Sequence, residues 1–158
     1  MAITVRKANP EEADVLAAMV GELLSEIMQV TRAPAFRFEL SQTKAQARAL
    51  MAQGTYTVFV AIDTSLQAYL GFVACYEGCA LYTEGVFGVI SEFYVRAGFR
   101  SRGIGRGLLC AVRGMAASRG WTRLEVTTPP LPEFAKALGF YESEGFGVTG
   151  GRKLRLLL

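Results

Sequence analysis

Apolar positions along this chain change period repeatedly, and each change marks an element. Ile3 to Lys7 alternates and reads as a short strand. Asn9-Pro10-Glu11-Glu12 then carries an N-cap residue, a proline at the first helical position and two acids in the first turn. Val15, Leu16, Met19, Val20, Leu23, Leu24 and Met28 follow at helical spacing. A second helix is predicted from Ser41 to Ala52, with Gly54 at its end. Tyr56 to Ile62 and Ala68 to Tyr76 read as strands around the turn Asp63-Thr64-Ser65, an antiparallel hairpin. Val86 to Val95 is a long strand, Ile104 to Ser118 a helix closed by Arg119-Gly120, and Leu124 to Thr127 a short buried strand. Pro129, Pro130 and Pro132 break that strand. Glu133 to Ser143 is a helix, and Gly145-Phe146-Gly147 opens a terminal hairpin closing with Leu154 to Leu158.

The junction between the long strand and its helix carries the most chemistry. Phe93-Tyr94-Val95 ends the strand, and Arg100-Ser101-Arg102-Gly103-Ile104-Gly105-Arg106-Gly107 begins the helix. First-turn amides lack intrahelical partners and the helix dipole favours an anion there, so the order predicts a phosphate or pyrophosphate site. Gly103, Gly105 and Gly107 let ligand oxygens reach the backbone, although glycine costs about 0.8–1 kcal/mol per helical site relative to alanine. No glycine here is followed by lysine and a hydroxyl, so the P-loop pattern is absent. The dinucleotide fingerprint fails by one residue, its third glycine standing at 107 instead of 108.

The pattern that fits is R-x-x-G-x-G, at Arg100, Gly103 and Gly105. It resembles the acetyl-CoA signature of the GCN5-related N-acetyltransferases, the GNAT superfamily. Phe140-Tyr141-Glu142-Ser143-Glu144-Gly145-Phe146 resembles that family's F/L-Y-E-x-x-G-F ending of the last helix, and Ala137 fits the same pattern. The resemblance spans roughly residues 55–147; the first 54 residues match only in element order. It implies an α/β fold of mixed α+β character: a mostly antiparallel sheet of about seven strands with four helices. In that family the fourth and fifth strands run parallel and splay apart around the cofactor; here they would be residues 86–95 and 122–128. With no repeat or linker in view, residues 1–158 read as one domain.

Composition narrows the chemistry. Half of the 158 residues are apolar and a fifth charged, as in a globular domain with an ordinary core. The net charge is only +3, and the arginines gather between 96 and 123, which fits a local anion site better than a nucleic-acid stripe. The aromatics sit in apolar runs and not between basic residues, against a nucleic-acid module. No run of eighteen apolar residues and no signal peptide is found, so the reading is a cytoplasmic protein without membrane association. Cys75, Cys79 and Cys110 have no metal-ligand spacing and read as buried thiols in a reducing compartment. No metal is expected. The absence of histidine excludes Ser-His-Asp and Cys-His machinery and His-ligated zinc. A general base must then be a carboxylate or water, and a general acid Tyr, Lys, Cys or a carboxylic acid.

The resemblance assigns roles within those limits. Tyr141 would be the general acid toward the CoA sulfur; a phenol near pKa 10 and a thiol near 8.5 are close enough for concerted transfer. Packing on the core is its alternative role. Phe93, Tyr94 and Val95 would lie along the pantetheine arm, whose amides pair with the strand as a partial extra strand. Amides from Ser101 through Arg102, Gly103, Ile104, Gly105 and Arg106 would hold the pyrophosphate, with the Arg100, Arg102 or Arg106 side chains reaching the phosphates. Seven residues before the tyrosine the family often has asparagine at the cofactor; this chain has Phe134.

Glu92, a charge inside an otherwise apolar strand, is the candidate general base or amine-binding group, with a salt bridge to an arginine as the alternative. Glu77 and Glu84, near the start and end of the neighbouring strands, are read as solvated, with added negative charge at that site as the alternative. The expected reaction moves an acetyl group from acetyl-CoA to a primary amine by direct attack in a ternary complex. The acceptor favoured is a small cationic amine of polyamine or diamine type. The alternatives are an aminoglycoside, an amino acid or a protein N-terminus, and in another class a non-catalytic acyl-CoA sensor. Pro34, Phe36 and Phe38 in segment 30–40 are read as shaping the acceptor pocket. Dimers are common in the family, and Leu154-Arg155-Leu156-Leu157-Leu158 reads as an interface strand of a homodimer or as core.

Overall fold

Up to the last helix the predicted elements recur in order in the structure, a computed structural model that describes every residue from Met1 to Leu158. The order is β1 (Ile3–Lys7), α1 (Ala13–Thr31), α2 (Leu40–Gln53), β2 (Tyr56–Asp63), β3 (Ala68–Ala80), β4 (Gly85–Val95), α3 (Ile104–Arg119), β5 (Leu124–Val126) and α4 (Ala135–Ser143). The chain divides into two units, Met1–Thr127 and Thr128–Leu158.

The first unit holds one five-stranded sheet in the order β1-β2-β3-β4-β5. The first four strands pair antiparallel, and β5 lies parallel to β4. Asn9 starts the helical side with a full capping box: its side chain accepts from the Glu11 amide, and Glu12 accepts from the Asn9 amide. One sheet face meets α1. Val58, Val60 and Ile62 of β2, Phe72 and Ala74 of β3 and Tyr94 of β4 join Leu16 and Met19 in one cluster. The alternating strand residues, Val73 and Cys75 among them, are buried on the other face, where α3 brings Leu108, Leu109 and Val112. A Cβ at Gly107 would stand 3.5 Å from the Val5 methyl, so α3 reaches as far as β1.

Two features of β4 position the site. Cys75 stands opposite Ile90 and Ala74 opposite Glu92, so Ser91 is an extra residue that makes a bulge. The ladder to β5 runs only from Gly88↔Leu124 to Ile90↔Val126, and β4 continues five residues beyond it. At the other end of that ladder Gly88 has no side chain because Trp121 covers it; a Cβ there would come within 2.4 Å of the indole. The Trp121 Nε1–H donates to Glu77 at 2.6 Å, so Glu77 braces this corner and is not merely solvated as expected.

The second unit contains α4. Its end is closed by the Phe146 amide on the Tyr141 carbonyl at 3.0 Å, with Gly145 at φ +95°. Tyr141 is buried, edge-on to Phe146 with ring centroids 5.4 Å apart.

Three expectations are corrected. The sheet has five strands and not seven, because residues 145–158 form no hairpin. Their apolar residues have no partner strand, and Leu154, Leu156, Leu157 and Leu158 are exposed. Of the three cysteines only Cys75 is buried; Cys79 and Cys110 lie on outward positions of β3 and α3.

Candidate active site

Five residues past the end of the β4–β5 ladder, β4 turns into the glycine-rich junction. A 3-10 turn over Ala97–Phe99 leads to Ser101 at φ +62° and Gly103 at φ +79°, the residue that caps α3. Glycine takes the second left-handed position without strain, and nothing stands within 4 Å of where its Cβ would be. No side chain caps the helix, and the first amide to bond back is that of Gly107, on the Gly103 carbonyl at 3.0 Å. The amides of Ile104, Gly105 and Arg106 precede that bond. They form the dipole-positive end of a sixteen-residue helix, as the sequence predicts.

The arginines of this junction do different work. Arg100, first residue of the signature, turns its guanidinium away from the helix end toward α1. Nη1 and Nη2 donate to the two Glu26 oxygens at 2.7 and 2.6 Å, and Nε donates to the Val95 carbonyl at 2.8 Å. The same group lies 5.7 Å over the Tyr94 ring. Arg96 repeats the arrangement one helical turn earlier on α1, with Nε and Nη2 on Glu22 at 3.0 and 2.8 Å and Nη1 on the Tyr69 carbonyl. These two pairs tie the strand end to α1. Arg102 stacks over Phe99 at 5.8 Å, and Arg106 is exposed on the first turn of α3. Ile104 is buried, so that residue can offer a ligand only its backbone. Tyr94 likewise has its ring in the α1 core; Phe93 and Val95 are half-buried on the alternate positions.

Glu92 sits just past the bulge, opposite Ala74, and so on the sheet face that α1 covers. Its partners are hydroxyls, not the arginine that the sequence leaves open. The Tyr56 phenol donates to Oε2, and the Ser91 hydroxyl donates to the same oxygen at 2.5 Å. Burial first, and then the adjacent Glu92 charge, push the Tyr56 phenol well above the ordinary tyrosine range. Tyr56 therefore stays a donor at any working pH. In the second unit, burial pushes the Tyr141 phenol up to about 12, so it too stays protonated.

Segment 30–40 folds back on α1 through Phe38. A Cβ at Gly21 would come within 2.8 Å of the Phe38 ring, so Gly21 makes the seat for it. Phe36 remains exposed. Sequence reasoning missed Tyr56, Glu22 and Glu26. Tyr56 carried a weak signal, an aromatic with a polar tip on an apolar strand face. Glu22 and Glu26 stand among the apolar residues of α1, and nothing local in the sequence marks them.

Comparison with known proteins agrees with this geometry. The family model described as an acetyltransferase (GNAT) domain matches residues 54–148. No curated protein matches the chain. Among solved structures, an aminoglycoside acetyltransferase from an uncultured soil metagenomic sample is similar at TM-score 0.76 and 18% identity, each chain covered in full. A ribosomal-protein-alanine N-acetyltransferase from Brucella melitensis biovar Abortus 2308 is similar at TM-score 0.74 and 18% identity, covering 99% of this chain and 100% of that one. A predicted acetyltransferase from Clostridium acetobutylicum, solved with acetyl-CoA, is similar at TM-score 0.77 and 16% identity, covering 99% and 96%.

The mixed sheet pairs β4 and β5 in parallel over three residues, and β4 runs on from there toward the glycine-capped start of α3. The chain belongs to the GNAT family of acetyltransferases. It is an acetyl-CoA-dependent N-acetyltransferase. No helix is long and apolar enough to cross a membrane.

Proposed function

We propose that this protein acetylates a primary amine on a small cationic molecule, with Glu92 as general base and Tyr141 as general acid. The observation that carries the reading is the Glu92 carboxylate, held by Tyr56 and Ser91 on β4 just past the end of the β5 ladder.

Acetyl-CoA supplies a thioester carbonyl. The residues present fit it: the uncapped α3 end with Gly103 open to solvent suits a pyrophosphate, and the short β4–β5 ladder suits an amide-bearing arm along Phe93 and Val95. Ser101 to Arg106 would meet the pyrophosphate through backbone amides. Arg100 is engaged by Glu26, and Arg102 and Arg106 are exposed beside the helix end. An amine must be neutral to attack. Glu92 takes its proton as the C–N bond forms, and the C–S bond breaks as Tyr141 gives its proton to the departing sulfur. The products are an N-substituted acetamide and the free CoA thiol. Burial holds the Tyr141 phenol up at about 12, so its proton is in place to be given as the sulfur departs.

A polyamine or diamine is one acceptor class consistent with an acid in the site. The aminoglycoside acetyltransferase among the similar structures makes aminoglycosides the first class to assay, and the alanine N-acetyltransferase adds protein N-termini. The test is thiol release from acetyl-CoA against kanamycin, spermidine, amino acids and N-terminal peptides, with calorimetry of acetyl-CoA on the same sample. Turnover on a polycationic amine supports the proposal; turnover confined to peptides overturns the acceptor class. Cofactor binding with no turnover on any amine favours an acyl-CoA sensor.

A further inference from the structure

We propose that Tyr56 is a positioning residue for the transfer: with Ser91 it holds Oε2 of Glu92 and leaves Oε1 to take the acceptor's proton. This rests on Glu92 being the base.

Both hydroxyls donate to one oxygen. Tyr56 reaches Oε2 from β2, 36 residues away in sequence. Ser91 has a single hydroxyl proton and two acceptors in range, the Ala74 carbonyl at 3.4 Å and Oε2 at 2.5 Å. The nearer, charged oxygen takes it. A carboxylate tied at one oxygen from two directions cannot rotate freely, and its second oxygen keeps a fixed aim. Holding a base in register with its proton is worth as much as its basicity.

Three features of the fold build this contact. The bulge supplies Ser91 as an extra residue directly before Glu92. Tyr56 is two residues from Val58, and Val58 and Glu92 flank Ala74 in register, so all lie on one face. Ala74 is fully buried and small, so the phenol can pass over β3 to reach β4. Other titratable groups around the carboxylate are already committed or neutral. Burial pushes the Cys75 thiol on β3 up to about 11, the Tyr94 phenol packs under α1, and Glu22 and Glu26 of α1 are paired with Arg96 and Arg100.

The experiment is a double-mutant cycle of Tyr56→Phe and Glu92→Gln, with Ser91→Ala as a second way to release Oε2. Steady-state rates are taken with kanamycin or spermidine, whichever turns over faster. If neither does, water is the acceptor, since thioester hydrolysis needs the same proton removed. Tyr56→Phe keeps the ring and should unfold within a few degrees of the parent. Its kcat should fall about tenfold with the KM for acetyl-CoA unchanged. In the Glu92→Gln background the same change should alter kcat less than about twofold, because the group it aims is gone. An equal tenfold loss in both backgrounds overturns the proposal. Glu92→Gln retaining kcat within about twofold overturns instead the reading of Glu92 as the base.

Discussion

The pairing of Arg100 with Glu26 makes a prediction that separates two uses of the signature arginine. In one, its guanidinium binds a cofactor phosphate; in the other it braces the junction against α1. The structure has it bidentate on Glu26 at 2.7 and 2.6 Å, bonded to the Val95 carbonyl and stacked on Tyr94. The arginine side chain is 39% exposed and its partner 30%, so solvent screens the pair. An ideal two-bond geometry at that exposure contributes about 1 kcal/mol, the upper end for surface pairs. For a chain of this length that is a Tm loss of about 3 °C. Glu26→Gln and Arg100→Met are the perturbations, read by denaturant unfolding as a double-mutant cycle and by calorimetry of acetyl-CoA. If the arginine is a brace, both variants lose similar stability, and both weaken acetyl-CoA by up to about fivefold, since each loosens the same turn. The reasoning is refuted if Glu26→Gln leaves stability and Kd untouched, or tightens binding, while Arg100→Met weakens it tenfold. That result would mean the guanidinium leaves Glu26 for phosphate.

The other expectations are simpler. Tyr141→Phe should lower kcat by roughly 10–100-fold while acetyl-CoA affinity stays near that of the parent; equal loss of both would make Tyr141 structural. Gly88→Ala would set a Cβ within 2.4 Å of the buried Trp121 ring and 2.7 Å of Leu124, so unfolding should show a loss of about 2–3 kcal/mol, and an unchanged Tm would contradict the packing. Hydrogen bonding from Arg6, followed by Tyr69 and the Asn9 amide, holds the Glu12 carboxyl down at about 2, against 4.5 unperturbed. A carboxylate lowered in the folded state stabilises fully above its unfolded value, and that stabilisation is lost as pH falls from about 4.5 to about 2. Arg6→Ala should therefore cost about 1 kcal/mol at pH 7, allowing for the exposure of Arg6, and little at pH 2; an equal cost at both would disprove the ion-pair account.

How much of this was legible in the chain differs by element. The capping box at Asn9, the helix ends at Gly54 and Gly120 and the glycine turn at 103 are local matters, settled by a few adjacent residues. The N-cap and the helix ends appear as the sequence predicts; of the stripe read on α1, Leu16 and Met19 are buried and Val15, Val20 and Leu23 pack against the core, while Ala13, Ala17 and Ile27, outside that stripe, are buried as well. The glycines of the R-x-x-G-x-G run mark a helix end without a side-chain cap, and a glutamate in an apolar strand announces a group that needs partners.

What those partners are was decided elsewhere. Whether Glu92 meets an arginine or a phenol depends on the β2–β3–β4 register and on a one-residue bulge at Ser91, neither of which adjacent residues determine. The destination of the Arg100 guanidinium depends on which turn of α1 lies across the strand end, and that follows from helix–sheet packing. The expected terminal hairpin fails for the same kind of reason. Alternating leucines give a segment the means to be a strand, but a strand exists only where another edge receives its amides and carbonyls. Capping, period and turn chemistry are short-range and survive in the sequence; pairing, register and the aim of a charged side chain are long-range and exist only once the chain has folded.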